Sequence, residues 1–158
     1  MALDLGFGET LGRIGMHYFE GDGVEQDVDK GLGMLERAAD RHDGEAMYYL
    51  GCSYRDGFNV DKDVKKSKRY LKKAAHHKCG SAYLALGDIY SRPEYDAYNE
   101  KKAAKWYLDG TRIDDLECIE KVIRMYSEGW LTKKDPKKES EWREKYRELD
   151  ANIYNFEW

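Results

Sequence analysis

Proline is nearly absent, with two in 158 residues. A chain with so few breakers accommodates long runs of helix, because proline inside a helix removes a backbone donor and clashes with the turn before it. Cysteine is scarce too. Cys52, Cys79 and Cys118 cannot all pair within one chain, and their spacing matches neither C-x-x-C nor a zinc pattern. They read as free thiols in a reducing compartment. No apolar run approaches the ~20 residues that span a bilayer. The start, Met1-Ala2-Leu3-Asp4, lacks a basic segment followed by an apolar one. A cytoplasmic chain with no membrane partner is the expectation. An excess of positive charge is also missing: 27 Lys and Arg stand against 31 Asp and Glu, a net of −4. Phosphate binders carry a basic excess, so bulk charge speaks against a nucleic-acid partner.

What is present is a period. Ile14-Gly15-x-x-Tyr18 recurs as Leu50-Gly51-x-x-Tyr54, Leu86-Gly87-x-x-Tyr90 and Val122-Ile123-x-x-Tyr126, each step 36 residues with no insertion. Three residues past the Tyr stand Gly21, Gly57, Pro93 and Gly129. Nine past it stand Asp27, Asp63, Asn99 and Asp135, and twelve past it Lys30, Lys66, Lys102 and Lys138. Glycine after the Tyr stops a helix, since it enters the left-handed conformation without steric cost. Asp or Asn then caps the next helix by accepting from a free backbone N–H. In the fourth repeat Pro136 follows the cap, where proline is best tolerated. Each repeat therefore reads as helix A, turn, capped helix B, and the four lysines read as solvated heads on stems that lie along apolar neighbours.

Helix B carries an apolar stripe at i, i+3, i+4 and i+7: Gly31, Met34, Leu35, Ala38, then Ser67, Tyr70, Leu71, Ala74, then Ala103, Trp106, Tyr107, Gly110. Helix A is expected to bury Ala46, Leu50 and Tyr54, or Ala82, Leu86 and Tyr90. A mid-helix glycine costs ~1 kcal/mol relative to alanine, so Gly15, Gly51 and Gly87 call for close approach of two helices. In the last helix B the stripe becomes Glu139, Trp142, Arg143, Tyr146, with charge where no further full repeat need dock. Tyr154 and Trp158 fall in register with Ala46 and Leu50, which reads as the first turn of a fifth helix A. Ala2-Leu3 through Gly8-Glu9 align with Ala38-Ala39 through Gly44-Glu45, so the chain is expected to begin near the end of a helix B. That leaves two readings, a piece of a longer array or a whole protein with a short cap. The boundaries are about 10–45, 46–81, 82–117 and 118–153, with caps at 1–9 and 154–158, in a single repeat domain over 1–158.

These landmarks resemble the Sel-one-like repeat family, a branch of the tetratricopeptide-like superfamily. Its pattern runs roughly A-x-x-x-L-G-x-x-Y-x-x-G-x-G-V-x-x-D-x-x-K-A, then an aromatic and an A-A pair. Ala46, Leu50-Gly51, Tyr54, Gly57, Val60, Asp63, Lys66, Tyr70 and Ala74-Ala75 match it, and residues 14–39 match as well. Repeats three and four depart from it, through the turn Pro93-Glu94-Tyr95-Asp96-Ala97-Tyr98 and through Val122-Ile123. The resemblance implies an all-α fold, an α/α right-handed superhelical solenoid with A helices lining a concave surface. It also implies adaptor or assembly work. Some cysteine-rich secreted relatives have been described as β-lactamase-like or penicillin-binding; this chain lacks their cysteine pairs, so that analogy transfers poorly.

Chemistry finds little purchase. There is no G-x-S-x-G, S-x-x-K or Walker-type loop, so no catalytic, cofactor-binding or metal-binding residue is assigned and no enzyme is expected. Gly21-Asp22-Gly23 reads as a helix stop, like Gly57 and Gly129. His76 and His77 are adjacent on a helix, ~100° apart, and seldom chelate one ion together. His17 and His42 are isolated. The basic run Lys62, Lys65, Lys66, Lys68, Arg69, Lys72, Lys73 and Lys78 reads as a solvated face, without the aromatic series that single-strand binding needs. What remains is the free side of helix A: Met16 and Phe19, then Met47, Tyr48, Cys52 and Arg55, then Leu84 and Asp88, then Glu120 and Arg124. Aromatic and arginine anchors among charges suit protein or peptide recognition. Tyr95 and Tyr98 are a second possible contact, because they break the repeat's rule. The expected function is a scaffold holding a peptide or protein in the groove, with an inhibitor or immunity-type protein as the alternative and a hydrolase behind both. A monomer is expected.

Overall fold

The structure, a computed structural model, describes residues 2–154, without the side chains of 2–5, 153 and 154. Eight α-helices follow one another: α1 (Ala2–Glu20), α2 (Val28–Asp40), α3 (Gly44–Asp56), α4 (Val64–His76), α5 (Gly80–Ser91), α6 (Glu100–Gly110), α7 (Leu116–Glu128) and α8 (Pro136–Tyr154). One 3-10 turn, Thr111–Ile113, follows α6, and the described residues contain no strand. The chain is thus an all-helical repeat solenoid, and no described helix is long and apolar enough to cross a membrane. It divides into two compact units, Met1–Ala82 and Tyr83–Trp158.

The sequence landmarks form one closed motif, built four times. The backbone N–H of the cap residue donates to the carbonyl of the helix-A tyrosine: Asp27 to Tyr18 at 2.9 Å, Asp63 to Tyr54 at 2.8 Å, Asn99 to Tyr90 at 2.8 Å and Asp135 to Tyr126 at 3.0 Å. The cap side chain then accepts the N–H of the recurring lysine, at 2.9, 2.9, 2.9 and 3.1 Å for Lys30, Lys66, Lys102 and Lys138. Each lysine's ammonium returns over the tyrosine ring of its own repeat, at 3.6, 5.0, 5.6 and 5.1 Å from the centroid. These lysines are exposed, yet more than solvated: a cation over an aromatic face contributes about 0.5–1 kcal/mol at such sites. The turn of the third repeat lacks the glycine, but Asn99 restores the register. Gly57 at φ 74° stops α3 as expected, with Gly21 and Gly129 alike.

Helices pack as antiparallel pairs through the glycines. A Cβ placed on Gly8 would meet Arg41, which caps α2, one on Gly12 would meet Asp43 and Ala38, and one on Gly15 would meet Met34, in reverse order along the chain. Gly51 faces Leu71 in the same way, and Gly87 faces the Tyr107 ring. Gly31 on α2 lies tightest against backbone: an added Cβ would stand 2.4 Å from the Phe19 nitrogen. Most of the stripe is buried, with Leu35, Leu71 and Tyr107 fully inside and Met34 and Trp106 half-buried. Ser67 sits in that stripe, fully buried, and among the described residues its hydroxyl has no hydrogen-bond partner. Its counterpart in the next repeat is Ala103, also fully buried. Ser67→Ala removes an unsatisfied buried polar group and is expected to raise stability by about 1 kcal/mol, read as a higher urea midpoint at unchanged slope.

Ile14 matches Leu50 in sequence, yet it is 42% exposed whereas Leu50 is fully buried. Two expectations are corrected. The chain does not begin at the end of a helix B; α1 runs unbroken from Ala2 through Glu20. At the other end α8 continues without a turn to Tyr154, so Tyr154 does not open a fifth helix A. Trp158 lies outside the described residues.

Candidate interaction surface

On α3 the residues Tyr48, Cys52 and Arg55 occupy one side of the helix at i, i+4 and i+7, which are neighbours in space. All three are half-buried. Tyr48 and Cys52 share a hydrogen bond, and burial together with Cys52 pushes the Tyr48 phenol up to about 12. Burial also raises the Cys52 thiol. Both groups are therefore neutral at physiological pH, leaving Arg55 as the one charge in the row. Its guanidinium forks onto the next residue, with Nε 2.8 Å from Asp56 Oδ1 and a terminal nitrogen 2.7 Å from Oδ2. The fork fixes its direction, as bidentate pairing does.

Two of the expected surface residues belong to the core instead. Phe19 is fully buried, with its ring edge-on to Tyr49 (5.8 Å) and Phe58 (6.0 Å). Its carbonyl accepts from Asn59 at 2.7 Å and Gln26 at 3.1 Å, which ties the end of α1 to two turns. Met47 is 2% exposed and packs inward with Ala46 and Leu50. Neither reaches a partner directly. Met16 stays half-buried on α1.

In the second unit the expected residues are tied to partners of their own. Leu84 is half-buried. Asp88 accepts from the Tyr107 phenol at 2.7 Å and faces Lys121 at 3.5 Å. Burial, and then the Asp88 carboxylate, push the Tyr107 phenol far above its ordinary value. Glu120 accepts from Tyr146 at 2.9 Å. Arg124 pairs with Glu128 at 2.8 Å and lies over Trp130 at 4.8 Å. Asp88, Lys121 and Tyr107 are brought together across three helices; the sequence marks Asp88 as a surface residue and Tyr107 as part of the stripe, but not Lys121, which falls where other repeats have Arg13, Tyr49 and Ala85. Tyr98 is 43% exposed and donates to Glu100 at 2.6 Å, while Tyr95 is half-buried in the same turn.

One further concavity escaped the sequence. A cavity of about 490 Å³ in the first unit is lined by Glu9, Arg13, Arg41, His42, Glu45, His77 and Cys79 among others. The His42 and His77 rings lie 5.2 Å apart, though 35 positions separate them in the chain. Partial burial, then His42 and His76, hold the His77 imidazole below its ordinary value. Among the described residues no group of three or more His, Cys, Asp or Glu side chains is placed to hold a metal ion. The basic residues of α4 are largely exposed, with Arg69 and Lys73 over the Tyr70 ring.

Comparison with known proteins agrees with this geometry. The model of the Sel1 repeat matches residues 11–43, 44–78 and 80–108. Among solved structures, a Sel1 repeat protein from Oxalobacter formigenes superposes with a TM-score of 0.76 at 25% identity, covering 89% of this chain and 58% of its own. A protective antigen with an SLR fold from uropathogenic Escherichia coli, c5321, gives 0.76 at 23% identity over 90% of this chain and 30% of its own. Immunity protein Pa5087 from Pseudomonas aeruginosa gives 0.62 at 19% identity over 91% and 69%. The chain therefore spans less than two thirds of the first two of these proteins. No curated protein matches it. The three matched segments, the closure motif recurring every 36 residues and the paired helices together place this chain in the Sel1 repeat family.

Proposed function

We propose that the chain is a non-catalytic scaffold that holds a peptide or protein along the free side of its A helices. The observation that carries this reading is the Tyr48–Cys52–Arg55 row. It is an aromatic and a guanidinium on one rigid helix, half-buried, with the arginine aimed by Asp56. Such residues supply most of the energy at protein interfaces when a partner completes their burial. Membership of a family of protein-interaction repeats supports it. Tyr48→Ala combined with Arg55→Glu is expected to weaken partner capture about 100-fold or more, while helicity and melting temperature hold. The measurement is affinity capture from the native source by both proteins, quantified by mass spectrometry. Equal recovery of the same partner on the double variant removes the row from the binding surface.

An inhibitor or immunity-type protein is the second reading. The fold is shared with an immunity protein, a likeness that at 19% identity bears on architecture alone. The exposed Tyr98 turn would enlarge the contact for such a role. A sub-nanomolar complex with one enzyme favours this reading, and several micromolar peptide partners favour the scaffold. A hydrolase would need a nucleophile beside a base in a pocket, for which the sequence offers no motif.

A further inference from the structure

The repeats themselves show what covers each open face. Within the first unit α3 packs on the α1–α2 pair: Ala46 lies beside Ala38 and the Gly12 position, and Tyr49 reaches back to Glu20 at 2.5 Å. In the second unit Cys118 of α7 sits on Gly110. Among the described residues, the same columns lie open on α1 and on α8. In α1, Thr10 and Ile14 stand where Ala46, Ala82 and Cys118, and Leu50, Leu86 and Val122, are buried, yet both are exposed. With Phe7, 52% exposed, they leave an apolar stripe on α1. In α8, Arg143, Tyr146 and Arg147 stand where Leu35, Ala38 and Ala39 are buried in α2. There they line, with Ile123 and Glu120 of α7, an apolar-walled groove of about 300 Å³.

We infer that these two faces are partners: α1 of a second copy of this chain docks in the α7–α8 groove, in the place a following helix A would take. The internal repeat fixes the register. Ile14 falls where Leu50 falls on its neighbour, and Thr10 falls against Tyr146 and Glu120. Arg13 takes the part of Tyr49, whose acceptor Glu20 becomes Glu128, so opposite charges meet at the rim. The joint is weaker than an internal one. Tyr146 replaces the Ala or Gly of the inner joints and holds the incoming helix further off. One helix face also buries less than the ~800 Å² per partner of a standard interface. A dissociation constant in roughly the tens to hundreds of micromolar range follows. Because the two faces differ, association is head-to-tail, and it departs from the monomer that the sequence suggested.

Sedimentation velocity from about 5 to 500 µM tests this. Wild type is expected to show a mass that climbs with concentration. Ile14→Glu places a charge on an exposed α1 position and is expected to leave a monomer at every concentration. Ile123→Glu does the same at the groove, with exposed Arg147→Glu as a second groove variant should the first lose helicity. The decisive arm is mixing: an α1 variant and a groove variant still offer one intact groove and one intact α1, so together they form a 1:1 complex and nothing larger. A wild type that stays monomeric up to the highest concentration overturns the inference. So does a mixture of the two variants that fails to associate while wild type does, since that is the behaviour of a symmetric face.

Discussion

Gly31→Ala is expected to destabilise the protein by about 2–3 kcal/mol, although alanine is the better helix former. The added Cβ would stand 2.4 Å from the Phe19 nitrogen, and 2.7 Å from both its Cα and its Cβ. Two of those atoms are backbone, so no rotamer change relieves the overlap. Either α1 and α2 move apart or Phe19 leaves its place between Tyr49 and Phe58. The propensity gain of alanine, about 1 kcal/mol, offsets only part of that. Gly33 on the same helix makes the control, because nothing lies within 4 Å of a Cβ built there. Gly33→Ala is expected to stabilise by about 0.5–1 kcal/mol. At roughly 2–4 °C per kcal/mol for a chain of this size, the two variants should melt on opposite sides of wild type, some 6–10 °C apart or more. Equal shifts of one sign would mean that helix propensity, not approach of the helices, governs these positions.

The sequence shows the repeat because its signals are local. A tyrosine, a cap and a lysine within thirteen residues close one hydrogen-bonded loop, and each partner is found by counting along the chain. Burial is less legible, since it depends on what stands opposite. Ile14 and Leu50 are alike as residues, yet one is 42% exposed and the other fully buried. Phe19 reads as surface because its column holds Arg55, Ser91 and Ser127 in the other repeats. Its being the sole apolar residue in that column was the available signal that it turns inward there. The Tyr48–Cys52–Arg55 row was visible as a helix face, but the fork to Asp56 was not, because adjacent residues do not ordinarily face each other on a helix. The His42–His77 approach joins two turns 35 positions apart and leaves no mark in either turn.

Gly87→Ala is expected to cost about 2–3 kcal/mol, and the loss should vanish when Tyr107 is truncated. The added Cβ would stand 2.3 Å from Tyr107 Cε1, with Cδ1 and Cζ at 2.6 and 2.7 Å. Here the obstacle is a side chain, but one with nowhere to go. The ring is fully buried, its phenol donates to Asp88 at 2.7 Å, and Ser91 Oγ lies 3.3 Å from the same oxygen. Trp130 stands 5.7 Å away on another side. Tyr107→Ala alone removes the ring and should cost about 3–5 kcal/mol. In the double variant the methyl that Gly87→Ala introduces enters the space the ring has left, so the second substitution adds little. The cycle should fall short of additivity by about 2 kcal/mol, within the range seen for residues in contact. Tyr107→Phe supplies the contrast. It keeps the carbons that block the methyl, so Gly87→Ala should remain costly in that background even though the bond to Asp88 is gone. Chemical denaturation of all six proteins at one pH measures every corner of both cycles. If Tyr107→Ala rescues and Tyr107→Phe does not, the ring itself sets the distance between α5 and α6. If both rescue, the hydrogen bond to Asp88 is what pins the ring against Gly87, and the Asp88–Tyr107–Lys121 cluster is the element that spaces those helices.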